Sequence, residues 1–381
     1  MPSRTRRSER NWAGLIVPAV LLLGLLADGL SRFLALDRFT IRAWEAMTRN
    51  SSMEAGIPFE PLKRYESNRA FGDQASRGNR REFRDYHHEV FTSDEFGFRN
   101  RQSFSPANPP DALLVGTSFS VGCGVSDNET LAVRLGEKTG QKIYNAAGMV
   151  ISPGQIRTIV RRLGMVRGTV IYEVLAGHGF PEPPPQLSRP KRMCVDRLGL
   201  TCLRMKGWAL ISPVGIISQR AYRWFEDDAW LPNVVADTST LVDGIPILMA
   251  HEDFACPGVS AESARDYFRS FRDGLGGLDL FVVLTPTKAL VYGPLIEGGS
   301  SAPDGGASES CFAVMSGALD DAGIPYVDLT DPMRQAARDA LARKQLLYFA
   351  GDTHWNAVGI DVAAKLVAQA WSARLTGHRK R

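Results

Sequence analysis

Three side chains in this 381-residue chain have the types and spacing for nucleophilic catalysis: Ser118, Asp352 and His354. A serine hydroxyl is a poor nucleophile at neutral pH and needs a base to take its proton during attack. His354 can take that proton on one ring nitrogen while its other nitrogen donates to a carboxylate, which fixes the tautomer and steadies the imidazolium. Asp352 stands two residues before His354, and in extended backbone residues two apart point to the same side. Acid and imidazole can therefore meet without a second element. Ser120 is a rival nucleophile on the same turn. A metal at Asp352 and His354 lacks a visible third ligand, so neither a metal nor a cofactor is expected.

These residues need a scaffold that brings distant stretches together. Ser118 follows Ala112-Leu113-Leu114-Val115, an apolar run that reads as a buried strand, on a tight turn opened by Gly116. The segment Gly351-Asp352-Thr353-His354-Trp355-Asn356 stands just before a helical pattern. Further strands are expected at 142–145, 169–175, 278–284 and 325–329. Helical spacing is expected over 129–138 (with Asn128 as a cap), 152–163 (with Pro153 in the first turn), 261–275, 311–322, 333–343 and 357–373. Apolar strands alternating with helices predict an α/β fold, a parallel sheet of about five strands covered on both faces. In such sheets the site lies beyond the carboxyl ends of the strands, where Ser118 falls.

The rest of the chain divides by composition. Residues 12 to 27 carry no charge, and the apolar character continues to Leu36, a length that suits one membrane span. Arg4, Arg6, Arg7 and Arg10 precede it, which predicts a cytoplasmic N-terminus with everything after about residue 37 outside. A cleaved signal peptide is the competing reading. The organisation expected is a cytoplasmic tip and transmembrane signal-anchor at 1–36, a stalk and polar linker at 37–105, a catalytic domain at 106–373, and a basic tail at 374–381. An insertion at about 180–260 opens on Pro181, Pro183, Pro184 and Pro185 and is read either as a lid or substrate wall or as a decoration without contact to substrate. His87 and His88 lie in the polar stretch and read as surface or loop residues. The net charge of +4 sits largely at the two ends, as expected of solvated tails, and argues against nucleic-acid binding. Of the five cysteines, Cys194 and Cys202 could pair, as could Cys256 and Cys311, with Cys123 left over; five free thiols is the alternative.

Gly116-Thr117-Ser118, followed by Gly122 and Gly124-Val125, resembles the first block of the SGNH (GDSL-like) hydrolases, in which that serine is the nucleophile. Thr117 stands where aspartate is usual, a variant similar to that of bacterial polysaccharide O-acetylation proteins of the alginate acetyltransferase type. The likeness continues through Asp94–Asn100, Asn145–Pro153, Val170–Glu173, Leu284–Lys288 with Tyr292, and Asp352–Asn356. There are departures. The serine precedes the acid–histidine segment, the plain SGNH order rather than the alginate-type one. His354 follows Asp352 by two residues rather than three. Val150 occupies the place of the second-block glycine, and Gly177 that of the third-block asparagine.

The resemblance implies a three-layer SGNH-like domain in which Ser118 forms an acetyl-enzyme. A sugar hydroxyl or water then resolves it. Oxyanion donors would be the backbone N–H of Ser118, that of Gly148 or Val150, and His178 in place of the missing asparagine side chain. Lys288 and Tyr292 would line a substrate groove. The function expected is a membrane-anchored enzyme transferring or removing acetyl groups on an extracytoplasmic polysaccharide. Its partners would be the polysaccharide acceptor, an acyl donor, a membrane acyl-carrier or acyltransferase protein, and the inner membrane. A carbohydrate or lipid esterase with the same triad, and an inactive SGNH scaffold that binds glycan, are the alternatives.

Overall fold

The computed structural model describes residues 12–31, 42–48, 51–52, 55–77, 81–148, 152–176, 193–194, 197–198, 201–205, 238–249, 259–296 and 305–378. The strands are β1 (Arg64–Ala70), β2 (His87–Thr92), β3 (Ala112–Val115), β4 (Ile143–Asn145), β5 (Thr169–Leu175), β6 (Thr238–Val242), β7 (Ile245–Met249), β8 (Asp279–Thr285) and β9 (Tyr326–Asp328). The helices are α1 (Trp12–Ser31), α2 (Ala43–Met47), α3 (Asp73–Arg77), α4 (Ser118–Val121), α5 (Leu131–Thr139), α6 (Pro153–Arg162), α7 (Ala261–Asp273), α8 (Lys288–Tyr292), α9 (Gly305–Asp321), α10 (Thr330–Leu341) and α11 (Ala357–His378).

Five strands form a parallel sheet in the order β4-β3-β5-β8-β9. The expected α/β architecture and strand count are observed. Strand alternation sends successive side chains to opposite faces. Leu114, Ile171, Phe281 and Val283 pack in one apolar cluster with residues of α5, α10 and α11. Their neighbours Leu113, Val170, Tyr172, Val282 and Leu284 pack in the other, with residues of α6, α7 and α9. Burial on both faces explains why these strands are apolar throughout. From β3 the chain goes to β4 on one side and then to β5 on the other. The crevice between β3 and β5 is therefore the topological switch point, where open sheets of this kind hold their ligands. Ser118 begins directly after β3, at that crevice.

Some local details differ from expectation. The cap of α5 is not Asn128. Ser126 and Glu129 form a capping box on a short 3-10 turn, and Thr130 then starts the helix. Ser152 caps α6 with Pro153 at its start. The polar stretch expected to be stalk and linker holds an antiparallel hairpin, β1 with β2, and α2 packs against it through Ala43, Ala46 and Met47. Its charged residues alternate with buried Tyr65, Glu89 and Phe91, so a half-buried hairpin was masked by its polar face.

Within the expected insertion, β6 and β7 form a hairpin whose Val242, Ile247 and Met249 enter the core. Pro181, Pro183, Pro184 and Pro185 and the tryptophans of the insertion, and hence the reading as lid or wall, lie outside the described residues. Cys194 and Cys202 are joined by a disulfide, and Cys123 is free. Cys256 and the side chain of Cys311 are outside the described residues.

The expected transmembrane helix requires correction. Among the described residues no helix is long and apolar enough to cross a membrane. α1 exposes Val17, Val20, Leu21, Leu22 and Leu25 on every side.

Candidate active site

The serine is set by a turn whose shape follows from its residues. Thr117 caps α4, its side chain accepting the Phe119 N–H, and Gly122 ends the helix in the left-handed region at φ 81°. Gly116 precedes the cap at φ 156°, and a Cβ there would lie 2.5 Å from Glu173 Oε2. Only glycine leaves room for that carboxyl group. Glu173, at the end of β5, accepts three hydrogen bonds on Oε2: from Thr117 N at 2.7 Å, Thr117 Oγ1 at 2.8 Å and Ser120 Oγ at 3.1 Å. Burial pushes its carboxyl above the ordinary carboxylate range. Ser120 is wholly buried and faces Glu173, away from His354.

The acid–histidine loop is held from both ends. Trp355 packs in the core edge-on to Phe119, with ring centroids 4.9 Å apart. Asn356 Oδ1 accepts the Gly359 N–H and so caps α11. Phe119 also packs beside the His354 ring, 5.1 Å between centroids.

These constraints place the three side chains in line. Ser118 Oγ lies 2.6 Å from His354 Nε2, and His354 Nδ1 lies 2.5 Å from Asp352 Oδ1. Nδ1 carries the proton toward the carboxylate, which leaves Nε2 to accept from the serine. Asp352 Oδ1 also accepts the His354 N–H at 3.0 Å. Burial would raise the Asp352 pKa, but the facing imidazole outweighs it and holds the carboxyl well below its usual range. Burial would likewise lower the His354 pKa, but the Asp352 carboxylate outweighs it and holds the imidazolium above its ordinary value. The arrangement can deprotonate a serine hydroxyl as it attacks an acyl carbon.

The other expected site residues fall in different places. The N–H of Ser118 opens α4 beside the crevice. Gly148 lies at φ 118° with its N–H directed to Gly116 O at 3.5 Å, a long contact that leaves the donor weakly engaged. Val150, Gly177 and His178 lie outside the described residues.

Lys288 and Tyr292 do not line a groove. Both are fully buried. Lys288 Nζ donates to Gln74 Oε1 at 3.2 Å, Ala350 O at 2.9 Å and Asp352 O at 2.9 Å. An ammonium has three N–H donors, and all are spent on protein. Tyr292 OH accepts the Leu347 N–H at 2.8 Å. Both residues therefore brace the loop that carries Asp352 and His354.

Sequence reasoning missed what the N-terminal polar segment contributes. A small cleft beside the imidazole is walled by Arg42, Phe71, Asp73, His87 and Glu89. His87 stacks on Phe349 and His88 pairs with Glu66 at the surface. Cys123 also lines the cleft, and burial pushes its thiol up to about 12, so it stays neutral. No sequence signal joins residues near 73 to residues near 352; only the folded chain brings them together.

Residues 259–381 match the family of the SGNH hydrolase-like domain of acetyltransferase AlgX. No curated protein matches the chain in sequence. Among solved structures, it is similar to a Slackia heliotrinireducens protein assigned to the SGNH hydrolases, at 13% identity and a TM-score of 0.32, over 69% of this chain and 100% of that one. It is similar to a lipase/acylhydrolase from Enterococcus faecalis, at 9% identity and a TM-score of 0.34, over 69% of this chain and 96% of that one. It is also similar to a Corynascus thermopiles carbohydrate esterase family 2 enzyme with a carbohydrate binding domain, at 12% identity and a TM-score of 0.32, over 76% of this chain and 72% of that one. The family match includes Asp352 and His354. Over residues 259–381, about a third of its length, the chain is thus similar to the SGNH hydrolase-like domain of acetyltransferase AlgX, and its parallel five-stranded sheet is the α/β architecture expected from that likeness.

Proposed function

We propose that the protein is a serine enzyme that moves acetyl groups onto or off an extracytoplasmic polysaccharide. The observation that carries this reading is the line Ser118–His354–Asp352, with contacts of 2.6 and 2.5 Å. In the first half-reaction Ser118 Oγ attacks the acetyl carbonyl of the donor while His354 Nε2 takes the hydroxyl proton. The leaving oxygen of the donor recovers that proton as the acetyl-serine ester forms. In the second half-reaction a sugar hydroxyl gives its proton to His354 and attacks the ester, and Ser118 takes the proton back. Asp352 stays ionised throughout and balances the imidazolium. The Ser118 N–H and the Gly148 N–H are the backbone donors for the oxyanion; losing one such donor costs ~10²–10³ in rate.

The same chemistry with water as acceptor gives a carbohydrate or lipid esterase. Attachment to the inner membrane with the site outside belongs to this proposal. So does a donor presented by a membrane acyl-carrier or acyltransferase protein, a partner suggested by the family likeness.

Labelling of Ser118 by a fluorophosphonate tests for a live nucleophile. Acetyl release from a small ester, with and without an oligosaccharide acceptor, then separates transfer from hydrolysis. An unlabelled, folded protein that binds oligosaccharide would favour the inactive scaffold.

A further inference from the structure

The loop that carries Asp352 and His354 is clasped by a segment some 280 residues earlier. Ala75 N donates to Gly351 O at 3.0 Å, and Asp73 N donates to Asp352 Oδ2 at 2.9 Å. In return Thr353 N donates to Asp73 Oδ1 at 3.2 Å and Thr353 Oγ1 to Asp73 Oδ2 at 3.4 Å. Gln74 shares the Lys288 ammonium with the carbonyls of Ala350 and Asp352. The approach is close enough that a Cβ on Gly72 would sit 2.0 Å from Gly351 O, so that position must be glycine.

Asp73 thereby brings a second carboxylate to the imidazole. Carboxylate oxygens of Asp73 and Asp352 and a ring nitrogen of His354 lie within 4.8 Å of one another. We propose that Asp73 is a positioning residue of the triad, clamping the Asp352–His354 loop and placing a second negative charge behind the imidazole. The proposal rests on the serine-enzyme reading of the site. When His354 takes the Ser118 proton, the imidazolium forms near two carboxylates rather than one. The other charged and titratable groups around the imidazole do not supply this charge in its place. Arg42 works in the opposite direction. Burial holds Glu89 toward its neutral form and Cys123 as a thiol. His87 lines the same cleft, and the Lys288 ammonium lies under the loop on its carbonyl side.

The test is the titration midpoint of the His354 ring, followed by NMR in the full chain carrying Ser118→Ala. The chain has six histidines, so His354 is assigned by comparison with His354→Ala. Asp73→Asn keeps the size of the side chain and an acceptor for Thr353 but removes the charge. It should lower the midpoint by about one pH unit, the scale for a charge at this separation. Asp73→Glu should restore it, and Thr353→Val, which keeps the charge, should leave it in place. In a turning-over enzyme the acidic limb of kcat/KM should move with the midpoint. Asp73→Ser is a second neutral variant if the amide folds poorly. An unchanged midpoint in a folded neutral variant would overturn the proposal. Failure of both neutral variants to fold would overturn it equally, by assigning Asp73 to the fold alone. The midpoint is read without turnover, so a protein that moves no acetyl group can still support or sink this inference.

Discussion

His354 Nε2 and Ser118 Oγ are 2.6 Å apart although 236 residues separate them in the chain. That contact joins the end of β3 to the loop before α11. Neither residue has any chemistry to offer without it. Ser118→Ala and His354→Ala should each lower kcat/KM on acetyl esters by about 10³-fold or more, and the double variant should lose little beyond either single one. Additive losses would mean that the two act separately.

Ser120→Ala should keep fluorophosphonate labelling and most turnover, because Ser120 faces Glu173 rather than the imidazole. Loss of labelling in that variant, with Ser118→Ala still labelled, would move the nucleophile to Ser120.

The pH dependence follows from the direction in which the pair is shifted. A base must be neutral, and His354 is held above the ordinary imidazole value because Asp352 outweighs burial. kcat/KM should therefore rise with pH through a midpoint above ~6.5. A profile already flat at pH 6 would contradict this. Stability runs by linkage. The His354 contribution is fully present below the unfolded imidazole value and is lost as pH rises through the raised folded one. The Asp352 contribution is present above the unfolded carboxyl value and is lost as pH falls through the depressed folded one. Denaturation midpoints of the parent relative to His354→Gln should show the largest advantage between pH ~4 and ~6.5.

Lys288→Ala should destabilise the protein by about 2–4 kcal/mol, measured by urea unfolding. It leaves a cavity and strands two carbonyls, the buried Asp352 O and the part-buried Ala350 O. Because those carbonyls belong to the acid–histidine loop, kcat should fall as well. An unchanged kcat with a raised KM would return Lys288 to a substrate groove.

Glu173→Leu should cost about 2–3 kcal/mol and slow labelling of Ser118, since the Thr117 N–H and the hydroxyls of Thr117 and Ser120 lose their common acceptor. Glu173→Gln keeps an acceptor oxygen and should recover most of both. Equal loss in the two variants would show that the charge, not the acceptor, holds the turn.

The sheet and the two ends of its site were legible in the sequence for local reasons. Leu113, Leu114, Ile171 and Val283 are apolar because both faces of each strand are buried, and that burial leaves a run any reader can find. Asp352 and His354 could be paired on paper because residues two apart share a side in extended backbone. Lys288 and Tyr292 were misplaced because type alone does not say whether a polar tip faces water or an interior carbonyl; that depends on Ala350, Asp352 and Leu347 arriving from elsewhere. The hairpin of β1 and β2 was hidden because its outer face is charged, and only its partner α2 and the core beneath show which residues are covered. The part played by Asp73 was beyond reach altogether. A hydrogen bond between residues 279 apart, Asp73 N to Asp352 Oδ2, leaves no periodicity and no motif, since its energy comes from a meeting that only the folded chain arranges.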